Sequence, residues 1–143
     1  MDRGTLFRVW LPMLAGLLAL GIIFRSGQGP RDSARVVGLL LGLIGLGGIV
    51  VARYTLGRSF SIRPQARELV TTGIYSYIRN PIYVSGIVLL VGVFLMVRNP
   101  HLWWLLVLVV IAQTIRARRE ARVLEDKFGD AYRAYKARVP RYL

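Results

Sequence analysis

Two segments of this chain carry most of its capacity for chemistry. One is Gly73-Ile74-Tyr75-Ser76-Tyr77-Ile78-Arg79-Asn80-Pro81-Ile82-Tyr83, and the other is the charged run from Arg116 to Leu143. Pro81 suits the first turn of a helix, because its missing N–H would be unpaired there anyway. Asn80 before it stands where an N-cap belongs. Free backbone N–H groups at such a start favour an anion. Arg79 adds a planar donor fork suited to a carboxylate. Tyr75, Tyr77 and Tyr83 bring rings and hydroxyls. In the second segment Glu120 follows Arg116 by one helical turn, so the two share a face. Leu124 and Phe128 continue that row and should pack inward. The residues alone leave blander readings open. The first segment would also serve as an interfacial helix start with a tyrosine belt. The second would also serve as a solvated helix of ion pairs touching anionic lipid.

Other chemistries fit poorly. The chain has no cysteine and one histidine, so thiol nucleophiles, thiolate metal sites and disulfides are out. The lone His101 lies in Arg98-Asn99-Pro100-His101, which reads as a tight turn, and it is expected to be an interfacial polar residue. Gly45-Leu46-Gly47-Gly48 superficially resembles a nucleotide loop, but no strand precedes it, so helix packing is the better reading. The acids are Asp2, Asp32, Glu68, Glu120, Glu125, Asp126 and Asp130. All lie at or beyond the ends of apolar blocks, which counts against a proton-coupled exporter.

The elements that must position these residues are apolar. Of 143 residues 55% are hydrophobic, mean hydropathy is +0.49 and net charge is +13. A soluble protein this basic would suggest nucleic acid. Here the apolar residues fall in long blocks with basic flanks, which points to a membrane and away from nucleic acid. The blocks run over residues 5–24, 36–51, 82–97 and 102–115. A span wants roughly 20 residues. The last three are short and would be extended by snorkelling Arg, Tyr and Trp. The first block is too long for a secretory leader, and no small-x-small site follows Phe24. Pro12 would kink it. Gly38, Gly42 and Gly45 put small residues on one face of the second block, for close packing. The expected fold class is therefore all-α integral membrane: about four transmembrane helices in a single domain, 1–143, with a helical hairpin and a cytoplasmic C-terminal helical tail. The tail should be one helix or two helices broken near Gly129.

Basic residues set the orientation. Arg3 and Arg8, then Arg58, Arg63, Arg67 and Arg79, then the Arg- and Lys-rich tail should share the cytoplasmic side. Arg25, Arg31, Arg35 and Arg98 fall opposite. Both termini are then cytoplasmic, and the compactness suggests a bacterial plasma membrane. The third and fourth blocks form a hairpin. That brings Arg79, Asn80 and Tyr83 near Arg116 and Glu120, across a long stretch of sequence.

The chain has Gly73-Ile74-Tyr75, Arg79-Asn80-Pro81-Ile82-Tyr83, then Glu120-Ala121-Arg122-Val123-Leu124, Phe128-Gly129, Tyr132, Tyr135 and Val139-Pro140-Arg141. In this order, around a hairpin, they resemble the isoprenylcysteine carboxyl methyltransferase and phospholipid methyltransferase superfamily. The resemblance covers about the second half of the chain. Two positions depart from the pattern. Asn80 stands where the superfamily has His, and Ala121 where it has the second Glu of a pair. Asn still donates and accepts hydrogen bonds, but it cannot change charge near neutral pH.

The resemblance implies S-adenosylmethionine as methyl donor and a lipophilic small-molecule or lipid acceptor. It implies that Tyr75, Arg79, Asn80, Pro81 and Tyr83 hold the cofactor. Glu120 would bind its ribose hydroxyls or ammonium, and Arg116 would orient or polarise the acceptor, so Arg116 and Glu120 are the expected catalytic pair. No metal is needed. The cofactor segments are 73–83 and 116–141, with Tyr132 and Tyr135 closing over the cofactor. An NADPH-dependent membrane reductase and a non-catalytic membrane scaffold are the alternatives. The acceptor stays open among a phospholipid amine, a prenylated carboxylate, a quinone-like molecule and a small hydrophobic thiol or amine.

Overall fold

The structure is a computed structural model, and it describes residues 11–26, 32–56 and 69–141. The start of the first apolar block, Asp2, Arg3, Arg8, Arg31, Arg58, Arg63, Arg67 and Glu68 lie outside the described residues. What is described is all-helical: α1 (Leu11–Ser26), α2 (Ser33–Leu56), a 3₁₀ turn (Gly73–Ser76), α3 (Pro81–Val97), α4 (Leu102–Phe128) and α5 (Asp130–Arg138).

The third block matches its helix within a residue. The second runs longer than its apolar core, because α2 takes in Ser33-Ala34-Arg35 at one end and Ala52 to Leu56 at the other. Polar residues at a helix end cost little when neighbours satisfy them. Among the described residues α2 is the one helix that is long and apolar enough on its own to cross a membrane. Helix α1 has 16 residues and α3 has 17, both apolar and both slightly short. Pro12 lies in α1 beside residues that the structure does not describe, so the expected kink there falls at the edge of the described residues.

Helices α2 and α3 run antiparallel in close contact. The glycines explain how. A Cβ on Gly38 would meet the Gly92 carbonyl at 2.7 Å, and one on Gly45 would meet the Ser85 carbonyl at 2.6 Å. Gly92 faces the backbone of Gly38 and Gly42 in return. The expectation that Gly38, Gly42 and Gly45 serve packing holds. Gly42 receives Leu20 of α1, and of the glycines in α2 Gly47 alone faces open space. Leu20, Leu46 and Met96 form the buried centre of this three-helix layer, with Leu39, Leu89 and Val93 around them.

The expected hairpin joins α3 to α4. Arg98 takes a left-handed conformation (φ 58°), and its N–H donates to the Phe94 carbonyl, ending α3. The Asn99 side chain accepts from the His101 N–H at 3.0 Å, and His101 is exposed, as expected of a turn residue. Phe94 and Trp103 meet edge to face, 6.0 Å apart, just past the turn. Arg98 also pairs with Asp32, which ties this turn to the start of α2. Helix α4 is otherwise loosely held; Ala117 is its one buried residue among those described.

Helix α4 continues unbroken from its apolar half into the charged half and stops at Gly129, where the break was expected. Gly129 has φ 50° and ψ −121°, a conformation that side chains disfavour. Helix α5 then folds back. Tyr132, Tyr135 and Val139 form a second small core with Leu69, Ala121, Leu124 and Phe128. Leu124 and Phe128 thus pack inward, as their spacing from Glu120 implied.

Candidate active site

The site assembles where α3 begins and the apolar half of α4 ends. Pro81 occupies the first turn of α3 and is fully buried. The Asn80 carbonyl accepts from the Tyr83 N–H at 3.1 Å and from the Val84 N–H at 3.2 Å. Asn80 holds the N-cap position, but its side chain makes no capping bond. That corrects the simple capping expectation and leaves the amide uncommitted to the helix.

Within the first turn of α3, the Tyr83 hydroxyl donates to Glu120 Oε1 at 2.6 Å, across 37 residues of sequence. Arg116 Nε donates to the same oxygen at 3.3 Å. The hairpin therefore brings Tyr83, Arg116 and Glu120 together, as the sequence required. Arg79 lies half-buried one turn before Tyr83, and its Nε is shut off from solvent with no hydrogen-bond partner among the described residues. A closed-in donor of this kind is costly unless something accepts from it.

The tail docks beside these groups. The Tyr135 hydroxyl donates to the Tyr75 carbonyl at 2.6 Å, and the Arg79 N–H donates to the Pro140 carbonyl at 3.0 Å. Tyr75 and Tyr135 are both buried. Burial is the main cause that pushes the Tyr75 hydroxyl well above its usual range, with Tyr135 and Glu120 adding to it. Burial likewise raises Tyr135, to about 12; Tyr132 adds to the shift, and Arg79 and Arg138 oppose it. Both hydroxyls stay neutral, so they act as donors in any binding role. On the outer side of α5, Arg133 donates to Glu125 at 3.1 Å and Lys136 donates to it at 3.4 Å. Those two bonds hold the Glu125 carboxyl below its usual range.

The residues expected to hold the cofactor and the acceptor fall in this region, but not as one cluster. Tyr83, Arg116 and Glu120 touch. Arg79 and Tyr75 are linked instead to the tail, through Pro140 and Tyr135. Ala121 packs against the small core of the tail. A carboxylate there would face apolar side chains, which accounts physically for a single acid at this site. Sequence reasoning missed the Tyr135–Tyr75 and Arg79–Pro140 bonds. Their only signal was the Tyr-x₃-Val-Pro ending, which says that the tail docks but not where. It also missed Gln113, one turn before Arg116. That amide faces Gly86, and its oxygen is buried without a hydrogen-bond partner among the described residues.

Among the described residues the chain is all-helical, and its hairpin sets the start of α3 against an Arg–Glu pair. The chain is a member of the phospholipid methyltransferase family, whose model matches residues 33–131. Two relatives give the finer likeness. The protein-S-isoprenylcysteine O-methyltransferase of Schizosaccharomyces pombe is 30% identical, over 92% of this chain and 64% of its own length. That of Rattus norvegicus is 33% identical, over 72% of this chain and 38% of its own. The chain thus spans less than two thirds of either relative. No solved structure matches it.

Proposed function

We propose that this chain is an integral membrane enzyme that transfers a methyl group from S-adenosylmethionine to a lipophilic acceptor. The observation that carries the reading is the Tyr83–Glu120 bond, made beside Arg116 at the mouth of the hairpin. The family match and the two relatives' names support it. Those names favour, among the acceptors left open, a prenylated cysteine carboxylate.

The residues fit the cofactor's chemistry. Its carboxylate needs donors, and Arg79 offers a guanidinium with an unpartnered, shielded Nε. Asn80 has an amide not spent on its helix, and the α3 start adds the Ile82 N–H behind Pro81, since those of Tyr83 and Val84 go to the Asn80 carbonyl. Glu120 offers an anion for the ribose hydroxyls or ammonium, with Tyr83 fixing its position. When bound, S-adenosylmethionine supplies a methyl on a sulfonium, passed in line to the acceptor nucleophile as the S–CH₃ bond breaks and its electron pair returns to sulfur. The protein's part is then mainly alignment. Arg116 stands where α4 turns from apolar to charged, so it can orient an anionic acceptor head held at the membrane boundary. The docked tail, through Tyr132 and Tyr135, keeps water from the reacting groups.

In this reading α1, α2, α3 and the first half of α4 are the four spans. Arg snorkelling extends the shorter ones, and both termini lie on the cytoplasmic side. Exposed apolar residues such as Leu18, Ile44, Trp104 and Leu108 then face lipid. The test is calorimetric binding of S-adenosylmethionine to the purified protein in detergent, with NADPH as control. Saturable binding that Glu120→Ala abolishes is the expected result. Binding of NADPH alone would turn the assignment towards a reductase. A folded protein that binds neither would make it a scaffold.

A further inference from the structure

Helix α4 has three faces, and two of them are taken. Arg116 and Glu120 lie on the face that meets Tyr83. Ala121 and Leu124 lie on the face that the tail covers. On the third face Trp104, Leu108, Ile111 and Ile115 recur at spacings of four and three, which is one side of a helix. They are 74%, 63%, 52% and 48% exposed. Arg118, Arg119 and Arg122 continue the same stripe without a break, and all three are exposed. None of the three makes a hydrogen bond or ion pair among the described residues.

Depth sorts the charge along this stripe. An arginine three to seven residues past Ile115 lies about 4–10 Å beyond the apolar end. The headgroup layer outside the hydrocarbon is roughly 5–7 Å thick, and the long arginine side chain flexes to stay within it. Asp126, the first acid on this stripe, comes a turn later and makes no ion pair with Arg122 among the described residues. From the membrane outwards the stripe is therefore apolar, then cationic, then acidic. A merely solvated helix would interleave its signs one turn apart, as Arg116 and Glu120 are. A second copy of this chain fits poorly here, because a two-fold contact would set arginine against arginine at the same depth.

We propose that this face of α4 binds an anionic phospholipid from the leaflet on the side of the active site: an acyl chain lies along Ile115, Ile111 and Leu108, and the guanidiniums of Arg118, Arg119 and Arg122 hold the phosphate. Guanidinium forks match phosphate oxygens. A net anionic headgroup also offsets the three cations, where a zwitterionic one brings a cation of its own. The lipid gives a packing partner to a helix that protein holds loosely, since Ala117 is its one buried residue among those described. The site is turned away from Glu120. The inference rests on the membrane-spanning part of the reading above and not on methyl transfer.

The experiment titrates the detergent-purified full chain with dioleoyl phosphatidylglycerol or dioleoyl phosphatidylcholine and counts bound lipid by native mass spectrometry. A basic side chain at a membrane surface is worth roughly five-fold in affinity for anionic lipid. The wild type should then prefer phosphatidylglycerol, on the order of a hundred-fold for three arginines. Arg122→Gln alone should lose about five-fold, and Arg118→Gln/Arg119→Gln/Arg122→Gln should show almost no preference. Lys127→Gln/Arg133→Gln/Lys136→Gln removes as much charge further out and should keep it. Sodium phosphate at the lipid's concentration should not displace the lipid, because it has no chain to lie on Ile115. Equal binding of the two lipids by the wild type overturns the proposal. So does a preference that survives in the triple arginine variant, one lost equally in the outer variant, or displacement by phosphate, which would mean a plain anion site. Flotation of the wild type with vesicles of both lipids separates the proposal from its parent. Protein that floats with both and shows no lipid preference sinks this site alone, and protein that floats with neither sinks the spanning reading with it.

Discussion

Where α2 meets α3, glycines let two backbones touch. Where α4 meets α3, polar side chains stand between them. The first contact has Gly38, Gly45 and Gly92 at distances that no other residue could keep. Dispersion between closely set backbones holds it, and it leaves no room for a ligand. The second has Tyr83, Arg116 and Glu120, joined by two long-reaching bonds, with the Gln113 amide a turn away. It is weakly packed and chemically rich. The difference teaches a division of labour along one helix. Helix α3 is gripped on its α2 face, and that grip fixes where its other face holds Tyr83. Function then occupies the side that packing leaves loose.

The sharpest way to break this comparison is to spoil the grip. Gly92→Val places a branched side chain against the backbone of Gly38 and Gly42, which cannot retreat. Overpacking of this kind costs about 3 kcal/mol or more. Loss of folded protein in size-exclusion chromatography, or a large drop in Tm, is the expected outcome. A variant with wild-type Tm would show that the seam yields. The site face should behave in the opposite way. Glu120→Gln keeps shape but loses the charge that Tyr83 and Arg116 address. Cofactor affinity should fall about 30-fold or more, in line with a charge-assisted hydrogen bond. Its Tm should barely move, because exposed pairs add little. A Tm loss as large as the affinity loss would make Glu120 a structural residue.

The sequence made the site legible where neighbours along a helix decide the matter. Arg116 and Glu120 share a face by spacing, and the hairpin follows from the four residues Arg98 to His101. Gly129 announced its own break. What stayed hidden depended on rotation between elements. Nothing in the spacing of Tyr135 says that its hydroxyl meets the Tyr75 carbonyl rather than a ligand. The same holds for the buried side of Gly92, whose partners Gly38 and Gly42 lie some fifty residues earlier. Helix length was misjudged at α2 because apolar character marks where a helix can be buried, not where its hydrogen bonds stop. Ala121 looked like a loss from a catalytic pair. In the structure it is a packing residue of the tail.

The tail gives effects of intermediate size. Gly129 has φ 50° with open space around it. Gly129→Ala would therefore clash with nothing and still cost roughly 1–2 kcal/mol, from backbone strain alone. Thermal unfolding should report it, and an unchanged Tm would mean that α5 docks without that turn. Tyr135→Phe removes a single bond, to the Tyr75 carbonyl. About 1 kcal/mol should be lost, with faster amide exchange at Arg79 and Val139 and none of the global loosening expected of Gly92→Val. The Tyr135 hydroxyl is raised from 10.0 to about 12. Its contribution is therefore full below pH 10.0 and disappears as pH rises through about 12. Tail exchange in the wild type should accelerate across that alkaline window, and in Tyr135→Phe it should already be fast below it.

The smallest effect belongs to the far end, where Asp32 meets Arg98. Desolvation works to raise the Asp32 carboxyl. The Arg35 N–H and the Arg98 guanidinium outweigh it and hold the group below 3.8. The pair's stabilisation is then present above that value and lost as pH falls below it. Both side chains remain about a third exposed, so water and salt screen them. Asp32→Asn should lower Tm slightly at low salt, and the difference should vanish in strong salt. Cofactor affinity should be untouched, since the pair lies at the opposite end of α3 from Tyr83. A change in that affinity would mean that the glycine seam transmits strain along α3, and the two contacts could no longer be treated as separate.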